Sequence, residues 1–320
     1  MRTLRSLALL AVSLFAGAAA AQDYPTKPIT LIVPYAAGQG ADAAARLVAD
    51  RLAAKLGKAI VVENRPGAGG NIGAAAAAQA KPDGYTLLVG SNATHGANSA
   101  LYPKLPFDPI KDFVPIAYIG AVPMVLVARP DFAASDIPKL TAAAKAKPGE
   151  ISVALPSTTA RAVSYLLQKR LGVSLNEVPY RGSASATTDI LGGSVNLLVD
   201  TLIATSPLIL EGKLKAIAVS SRNRATTLPD VPTLAESGLG DFDLVPWNTW
   251  FAPKGTPAAI VDKLNAGIDE ILADPDVQKR LRVLGYETAA KMSPAQTAEF
   301  VKAEAQKWAD LIRASGITGE

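Results

Sequence analysis

Residues 29–48 read Ile29-Thr30-Leu31-Ile32-Val33-Pro34-Tyr35-Ala36-Ala37-Gly38-Gln39-Gly40-Ala41-Asp42-Ala43-Ala44-Ala45-Arg46-Leu47-Val48. The apolar run 29–33 predicts a buried parallel strand, 34–41 is too glycine-rich for a regular element, and the periodicity of 42–56 predicts a helix. The first turn of such a helix offers free N–H groups and the positive end of its dipole, and glycines let a ligand approach closely. This unit therefore predicts an anion site, with Asp42 capping the first turn rather than contacting ligand.

The same stretch contains a pattern typical of dinucleotide-binding folds. Gly38, Gly40 and Ala43 satisfy G-x-G-x-x-A, and Glu63 closes the next apolar run, roughly where a ribose-binding acid belongs. However, four residues separate the strand from Gly38, whereas a dinucleotide turn is tight, and Asp42 would face the pyrophosphate. A secreted NAD-type oxidoreductase is therefore kept only as the alternative interpretation.

The first 21 residues have the layout of a cleaved secretory signal. Arg2 and Arg5 precede the apolar run 7–15, and three alanines, 19–21, precede Gln22. This run is too short to span a bilayer, so the segment is excluded from the fold. We expect an exported, soluble protein that diffuses freely outside the cytoplasmic membrane. The length of 320 residues allows one large or two ordinary domains.

Charge and composition exclude several classes of function. Removal of the two signal arginines lowers the formal net charge from +4 to +2, and the remaining basic residues are scattered, which argues against nucleic-acid binding. The chain has no cysteine, hence no disulfide and no thiol nucleophile. Because His95 is the single histidine, a metal site would need carboxylates alone and a serine triad would need His95 itself. We therefore expect no catalytic residues, no cofactor and no metal site.

Alternating strands and helices fill the first third of the chain. Apolar runs at 29–33, 59–62 and 85–89 are separated by helical patterns, which predicts a parallel sheet covered by helices. The glycines in 67–70 are interpreted as a structural turn. The third run opens into Ser91, Asn92 and His95, and the carboxyl end of a parallel strand is where such sheets bind ligands. For His95, a structural role is the alternative to ligand contact.

A second unit at 122–222 repeats this arrangement. Strands are predicted at 122–128, 151–154, 195–199 and 214–219, and helices at 141–147, from the turn 155–159 to 171, and from 183 to Gly192-Gly193. Its polar turns and those of the first unit would face each other across a cleft. The tail is helical, with one apolar face at Ile260, Leu264, Ile268 and Leu272 and another at Val301, Ala305, Trp308 and Ile312. We expect these helices to pack back on the first unit.

Several blocks of the chain resemble the Bug family, the periplasmic solute-binding proteins of tripartite tricarboxylate transporters. They cover essentially the whole mature chain: residues 25–29 (PTKPI), 33–38 (VPYAAG), 61–70 (VVENRPGAGG), 82–88 (PDGYTLL), 178–182 (VPYRG), 232–236 (PTLAE) and Trp308. The block 61–70 is the most specific of them.

The resemblance implies an α/β fold, a two-lobed periplasmic binding protein of type II-like architecture, with a mixed sheet flanked by helices in each lobe and the ligand cleft between the lobes. Residues 1–21 would be the signal, 22–121 with 246–320 the first domain, and 122–245 the second. It also implies capture of a small organic anion, commonly a carboxylate or dicarboxylate, for delivery to membrane components of the transporter. A sensor's co-receptor is a further alternative, and the sequence does not identify the acid.

Carried over by position, the resemblance implies ligand contacts in both lobes. The predicted residues are Tyr35, Ala36, Ala37, Gly38, Ser91, Asn92, Ser157, Thr158, Thr159, Tyr180, Gly182 and Ala184, with Asp200 as a weaker candidate. The chain departs from the family pattern at Gln39, Pro156, Thr159 and Arg161, where glycines are usual, and at Tyr165, where a histidine is usual. A cation in the first turn of a helix is opposed by the dipole, so Arg161 is predicted either to meet a bound carboxylate or to face solvent.

Overall fold

The computed structural model describes residues 24–288 and 291–318, and the predicted signal segment lies outside them. Two five-stranded sheets define two lobes, with strand orders β2-β1-β3-β10-β4 and β7-β6-β8-β5-β9. The first sheet contains β1 (Ile29–Val33), β2 (Ile60–Asn64), β3 (Thr86–Ser91), β4 (Phe113–Ala121) and β10 (Trp247–Pro253). The second contains β5 (Met124–Ala128), β6 (Ser152–Leu155), β7 (Asn176–Pro179), β8 (Leu197–Thr201) and β9 (Lys215–Val219).

Helices cover both sheets. In the first lobe they are α1 (Gly40–Leu56), α2 (Asn71–Ala78), α3 (Asn98–Leu101), α8 (Ala258–Ala273) and α9 (Pro275–Val283). In the second lobe they are α4 (Ile137–Ala146), α5 (Thr158–Leu171), α6 (Ser183–Gly192) and α7 (Leu202–Leu210), and the long helix α10 (Pro294–Ser315) follows near the end of the chain. Three single-turn segments, Ala68–Gly70, Ala93–Ala97 and Ala235–Leu239, complete the set.

The predicted strand, turn and helix at 29–57 is the centre of the first lobe. β1 lies between β2 and β3 and runs parallel to both. Ile29, Leu31 and Val33 on one face of β1 and Ile32 on the other are all buried, as expected for a strand covered on both faces. α1 packs Val48 and Leu52 into the same core and begins at Gly40, two residues before the predicted start.

Both sheets are mixed rather than purely parallel. β10 runs antiparallel to β3 and β4, and β5 runs antiparallel to β8 and β9. The three strands whose alternation with helices predicted a parallel sheet, β1, β2 and β3, are parallel to one another as expected, and β10 adds an antiparallel strand from a distant part of the chain. The mixed sheets implied by the family resemblance are confirmed.

Two crossing segments join the lobes. The first leads from β4 to β5 through Val122, and the second leads back into β10 through Pro246. The Val122 amide donates to the Pro246 carbonyl (2.8 Å), so the two segments are tied side by side. Both segments lie at the end of the cleft between the lobes, where Val122 and Pro246 line it.

Helix α10 contacts both lobes. Val301 lies in the core cluster around β10 of the first lobe, whereas Trp308 and Ile312 lie in the cluster built on β5, β6 and α5 of the second. The Tyr165 hydroxyl donates to the Ala314 carbonyl (2.5 Å), which ties the end of α10 to α5. α8 and α9 pack on the first lobe alone. α8, α9 and part of α10 thus pack on the first lobe as expected, and α10 contacts the second lobe as well.

Candidate ligand-binding cleft

The two lobes face each other across a cleft lined by polar turns. In the first lobe, the turn after β1 leads into α1, and β3 ends at Ser91 next to Asn92. In the second lobe, the turn after β6 leads through Ser157 into α5. These turns follow the carboxyl ends of parallel strands, where open α/β sheets place their ligands. The first amides of α1 and α5 have no partner within their helices, so both helices present free donors and a positive dipole end at the cleft.

Buried polar contacts hold the turn after β1. The Asp42 carboxylate accepts from the Gly38 amide (2.8 Å), from Arg46 Nε (3.0 Å) and from Asn64 Nδ2 (2.9 Å). Burial alone would raise the pKa of Asp42, but these hydrogen bonds outweigh it and lower that pKa. Asp42 therefore ties the turn to β2, rather than capping a helix amide as predicted. The Tyr35 hydroxyl is hydrogen-bonded to the Ser91 hydroxyl, which joins the turn to the end of β3.

Ser157 is the N-cap of α5. Its hydroxyl accepts from the Ala160 amide (3.1 Å) and leaves the amides of Thr158 and Thr159 free of a partner within the helix. Across the cleft, the Asn92 amide group donates to the Thr159 hydroxyl at 3.4 Å. This contact connects the two lobes and divides the cleft into two chambers.

The first chamber, which we call the hinge chamber, has a volume of about 350 Å³ and adjoins the crossing segments. Its lining is uncharged. It comprises Tyr35, Gln39, Gly40, Ala41, Ser91, Asn92, Ala93, Val122, Met124, Ser157, Thr159, Thr201, Ile203, Pro246, Trp247, Asn248, Leu284 and Tyr286. The N-terminus of α1 therefore opens directly into this chamber.

The second chamber, which we call the arginine chamber, has a volume of about 540 Å³. Arg161 and Arg181 line it, and no aspartate or glutamate does. The other lining residues are Ala68, Gly69, Asn92, Ala93, Ala97, Asn98, Leu101, Tyr102, Leu155, Pro156, Ser157, Thr158, Thr159, Pro179, Tyr180 and Thr318. The described lining of the two chambers thus carries two cations and no acid.

Arg161 is half-buried and Arg181 is exposed. Neither forms a salt bridge in residues 24–288 and 291–318. The Asp189 carboxylate is bound by the Tyr180 hydroxyl (2.6 Å) and does not line the chamber. Burial, followed by the contact with Asp189, raises the pKa of Tyr180 to about 12, so this hydroxyl stays neutral. The cleft is therefore electrostatically suited to an anion.

The structure brings most of the predicted site residues to these chambers. Tyr35, Ser91, Asn92, Ser157, Thr158, Thr159, Arg161 and Tyr180 line one or both of them. Ala36, Ala37 and Gly38 are exposed and line neither chamber, and Gly38 adopts a left-handed backbone conformation (φ +83°). Gly182 and Ala184, at the start of α6, also lie outside both linings.

His95 does not reach the cleft. Its side chain is fully buried and stacks on Phe251, with ring centroids 3.9 Å apart, and Phe113 packs edge-on against it. Nδ1 lies 2.9 Å from the Thr94 hydroxyl, and Nε2 has no hydrogen-bond partner among the described residues. Burial lowers the pKa of His95 to about 3. His95 therefore lies in the core of the first lobe, as its structural interpretation expects, and lines neither chamber.

Asp200 is also buried away from the chambers. It lies on the same face of β8 as Leu198, towards the core cluster that contains residues of α6, and it is 3% exposed. Burial raises the pKa of its carboxyl group, although Oδ1 accepts from the Thr201 amide (2.7 Å). The neighbouring Thr201 lines the hinge chamber instead.

The sequence analysis missed cleft residues from distant parts of the chain. Trp247 and Asn248 come from β10, and Tyr286, which follows α9, donates to the Asn248 side chain. Asn98 donates to the Gly69 carbonyl (3.0 Å) and holds the 67–70 turn at the arginine chamber. Trp247 and Asn248 follow Pro246 in an apolar stretch, but only the position of β10 in the sheet reveals that they face the cleft.

Two further properties bear on the class of protein. In residues 24–288 and 291–318, no group of three or more histidine, aspartate or glutamate side chains is arranged to hold a metal ion. Within the same residues, every helix is too short or too polar to cross a membrane.

Comparison with known proteins relates this cleft to a receptor family. Residues 44–317 match the model of the tripartite tricarboxylate transporter family receptor. The chain is 39% identical to Protein BugT of Bordetella pertussis, over 99% of each chain. The solved structure of R. palustris Rpa4515 with adipate has a TM-score of 0.80 at 33% identity, covering 92% of this chain and 99% of that one. MatC (Rpa3494) from Rhodopseudomonas palustris with bound malate has a TM-score of 0.75 at 36% identity, covering 90% and 100%.

Proposed function

The chain belongs to the tripartite tricarboxylate transporter receptor family, and we propose that its cleft captures a small organic anion, a carboxylate or dicarboxylate, and delivers it to the membrane components of such a transporter. The family consists of solute-binding receptors.

One observation carries the proposal. The described lining of the cleft contains Arg161 and Arg181, no acidic residue, and the N-termini of α1 and α5. Free helix amides and arginines both favour carboxylates, the amides through the helix dipole and the arginines through charge-assisted hydrogen bonds. A cation would find no compensating charge in either lining.

The solved relatives support the choice of a carboxylate. Rpa4515 was solved with adipate and MatC with malate, and both share the two-lobed fold over most of this chain. By contrast, the oxidoreductase alternative has no support. The Glu63 side chain is paired with Arg65 Nε (2.8 Å), and Asp42 is tied to the turn before α1.

Capture would proceed by closure of the lobes about the crossing segments. The Val122 and Pro246 segments allow rotation, and Asn92 and Thr159 already meet from opposite lobes. Closure would surround the ligand with donors from both lobes and exclude water, which strengthens charge-assisted contacts. We further propose that residues 1–21 are removed on export, and that the mature receptor acts in the periplasm as a monomer.

A thermal-shift screen tests the proposal. We expect mono- and dicarboxylates to raise the melting temperature and NAD and NADP to leave it unchanged. At 100 times the dissociation constant, one-site binding should add about 2.7 kcal/mol to the free energy of unfolding. Amino-alcohol cations of similar size serve as the control for nonspecific effects. Stabilisation by a dinucleotide or a cation, with none by any carboxylate, would refute the proposed function.

A further inference from the structure

The two chambers differ in charge. The hinge chamber is lined by uncharged residues, whereas the arginine chamber is lined by Arg161 and Arg181. Asn92 and Thr159 belong to both linings, and their side chains meet at 3.4 Å between the chambers. This separation is long for a hydrogen bond, so a ligand group can take its place at little cost.

The position of Arg161 favours the binding of an anion beside it. It is the fourth residue of α5, so the helix dipole opposes its charge. The side chain is half-buried against the arginine chamber, and no salt bridge compensates it among the described residues. A bound anionic group would satisfy both the dipole and the desolvated guanidinium.

A ligand that uses both chambers has to pass Asn92 and Thr159, which line both of them. At about 350 and 540 Å³, each chamber alone falls within the range of 300–1,000 Å³ that is typical of a whole ligand site. A short diacid at the N-termini of α1 and α5 would occupy the hinge chamber only. A longer ligand can pass Asn92 and Thr159 and bring a second group to Arg161.

We infer that the cleft selects an elongated organic dianion, whose first anionic group lies in the hinge chamber and whose second lies against Arg161 in the arginine chamber. The inference rests on the proposed function and specifies its substrate class. Arg161 is then the residue that distinguishes a second anionic group from a neutral one, and the exposed Arg181 adds charge at the rim.

Calorimetric titration tests this assignment. The probes are unbranched dicarboxylates from succinate to sebacate, each paired with its monoamide, which has the same length and one charge fewer. For diacids long enough to reach both chambers, wild type should bind the diacid roughly 10- to 100-fold more tightly than its monoamide. Arg161→Gln should remove this preference by weakening the diacid, and should leave monoamide affinity within about threefold.

Lys169→Gln is the matched control, because it removes the same charge from an exposed position of the same helix. It should keep the wild-type preference, and all three proteins should show the same far-UV circular dichroism. If wild type binds carboxylates but does not distinguish any diacid from its monoamide, or if Arg161→Gln retains the preference, the inference is wrong and the proposed function stands. If wild type binds no carboxylate, both are wrong.

Discussion

The side chain of Asn92, after β3 in the first lobe, lies 3.4 Å from the hydroxyl of Thr159, in the first turn of α5 in the second lobe. The pair brings together the two halves of an acid-free cleft. It also joins positions that are 67 residues apart along the chain. Because Asn92 lies in this lining, its replacement by the nearly isosteric aspartate tests the electrostatic character of the cleft.

Asn92→Asp should weaken carboxylate binding by at least about tenfold, or roughly 1.4 kcal/mol, because it adds a carboxylate to a lining that has none. Calorimetric titration at neutral pH measures the loss. Asn176→Asp makes the same change at an exposed position of β7 and should bind like wild type. Equal affinities for the two variants would count against an electrostatic basis for anion binding.

His95→Phe should leave ligand affinity unchanged and alter the pH dependence of stability. The folded-state pKa of about 3 is depressed from an unfolded value near 6.5, so the unfolded chain takes up a proton that the folded chain does not. The contribution of neutral His95 to stability is therefore fully present above about pH 6.5 and is lost as the pH drops towards 3. Between pH 7 and 5, wild type should lose about 2 kcal/mol more than His95→Phe, measured by urea unfolding. The same pH dependence in both proteins would show that His95 titrates freely.

Asp42→Asn should destabilise the fold by about 1–3 kcal/mol, because an amide cannot accept from Gly38, Arg46 and Asn64 together. The folded-state pKa of Asp42 is lowered, so its contribution is present above the unfolded value of about 3.9 and lost as the pH falls through the folded value. The difference in stability should thus be constant above about pH 5 and shrink in acid. Asp50→Asn, exposed on the same helix, is the control. A difference that grew in acid would contradict this account.

Ligand binding should reduce the radius of gyration, because polar turns of two lobes must converge on one small molecule around the Val122 and Pro246 segments. Small-angle X-ray scattering on the free and carboxylate-saturated protein measures the change. Asn92→Asp should reach the smaller radius only at a carboxylate concentration roughly tenfold or more above the one that wild type needs. An unchanged wild-type radius at proven saturation would indicate a preformed cleft.

The strand, turn and helix units were predictable because their apolar periodicity is local. The run 29–33 became β1, and Gly192-Gly193 ended α6 as predicted. β10 could not be predicted from the same signals, because its partners β3 and β4 lie more than 100 residues earlier in the chain. The division of α10 between the lobes depends in the same way on contacts that no local pattern encodes.

Within the candidate site, the sequence indicated which residues follow parallel strands, but not whether their side chains face the cleft or a core. Ser157 and Thr159 line the cleft because they follow a parallel strand and open a helix. His95 and Asp200 also follow or end such strands, but each points into a core, and that depends on packing against Phe251 or α6. Arg161 was recognisable as unusual from its place in a first helical turn, and the fold supplies the chamber that it faces.

The most direct test of the account is a crystal structure of the protein saturated with the tightest-binding carboxylate. We expect electron density for the ligand between Asn92 and Thr159, with one carboxylate group at the N-termini of α1 and α5 and the lobes closed around it. Density for the ligand outside the two chambers, or a cleft without ligand at a saturating concentration, would contradict the account.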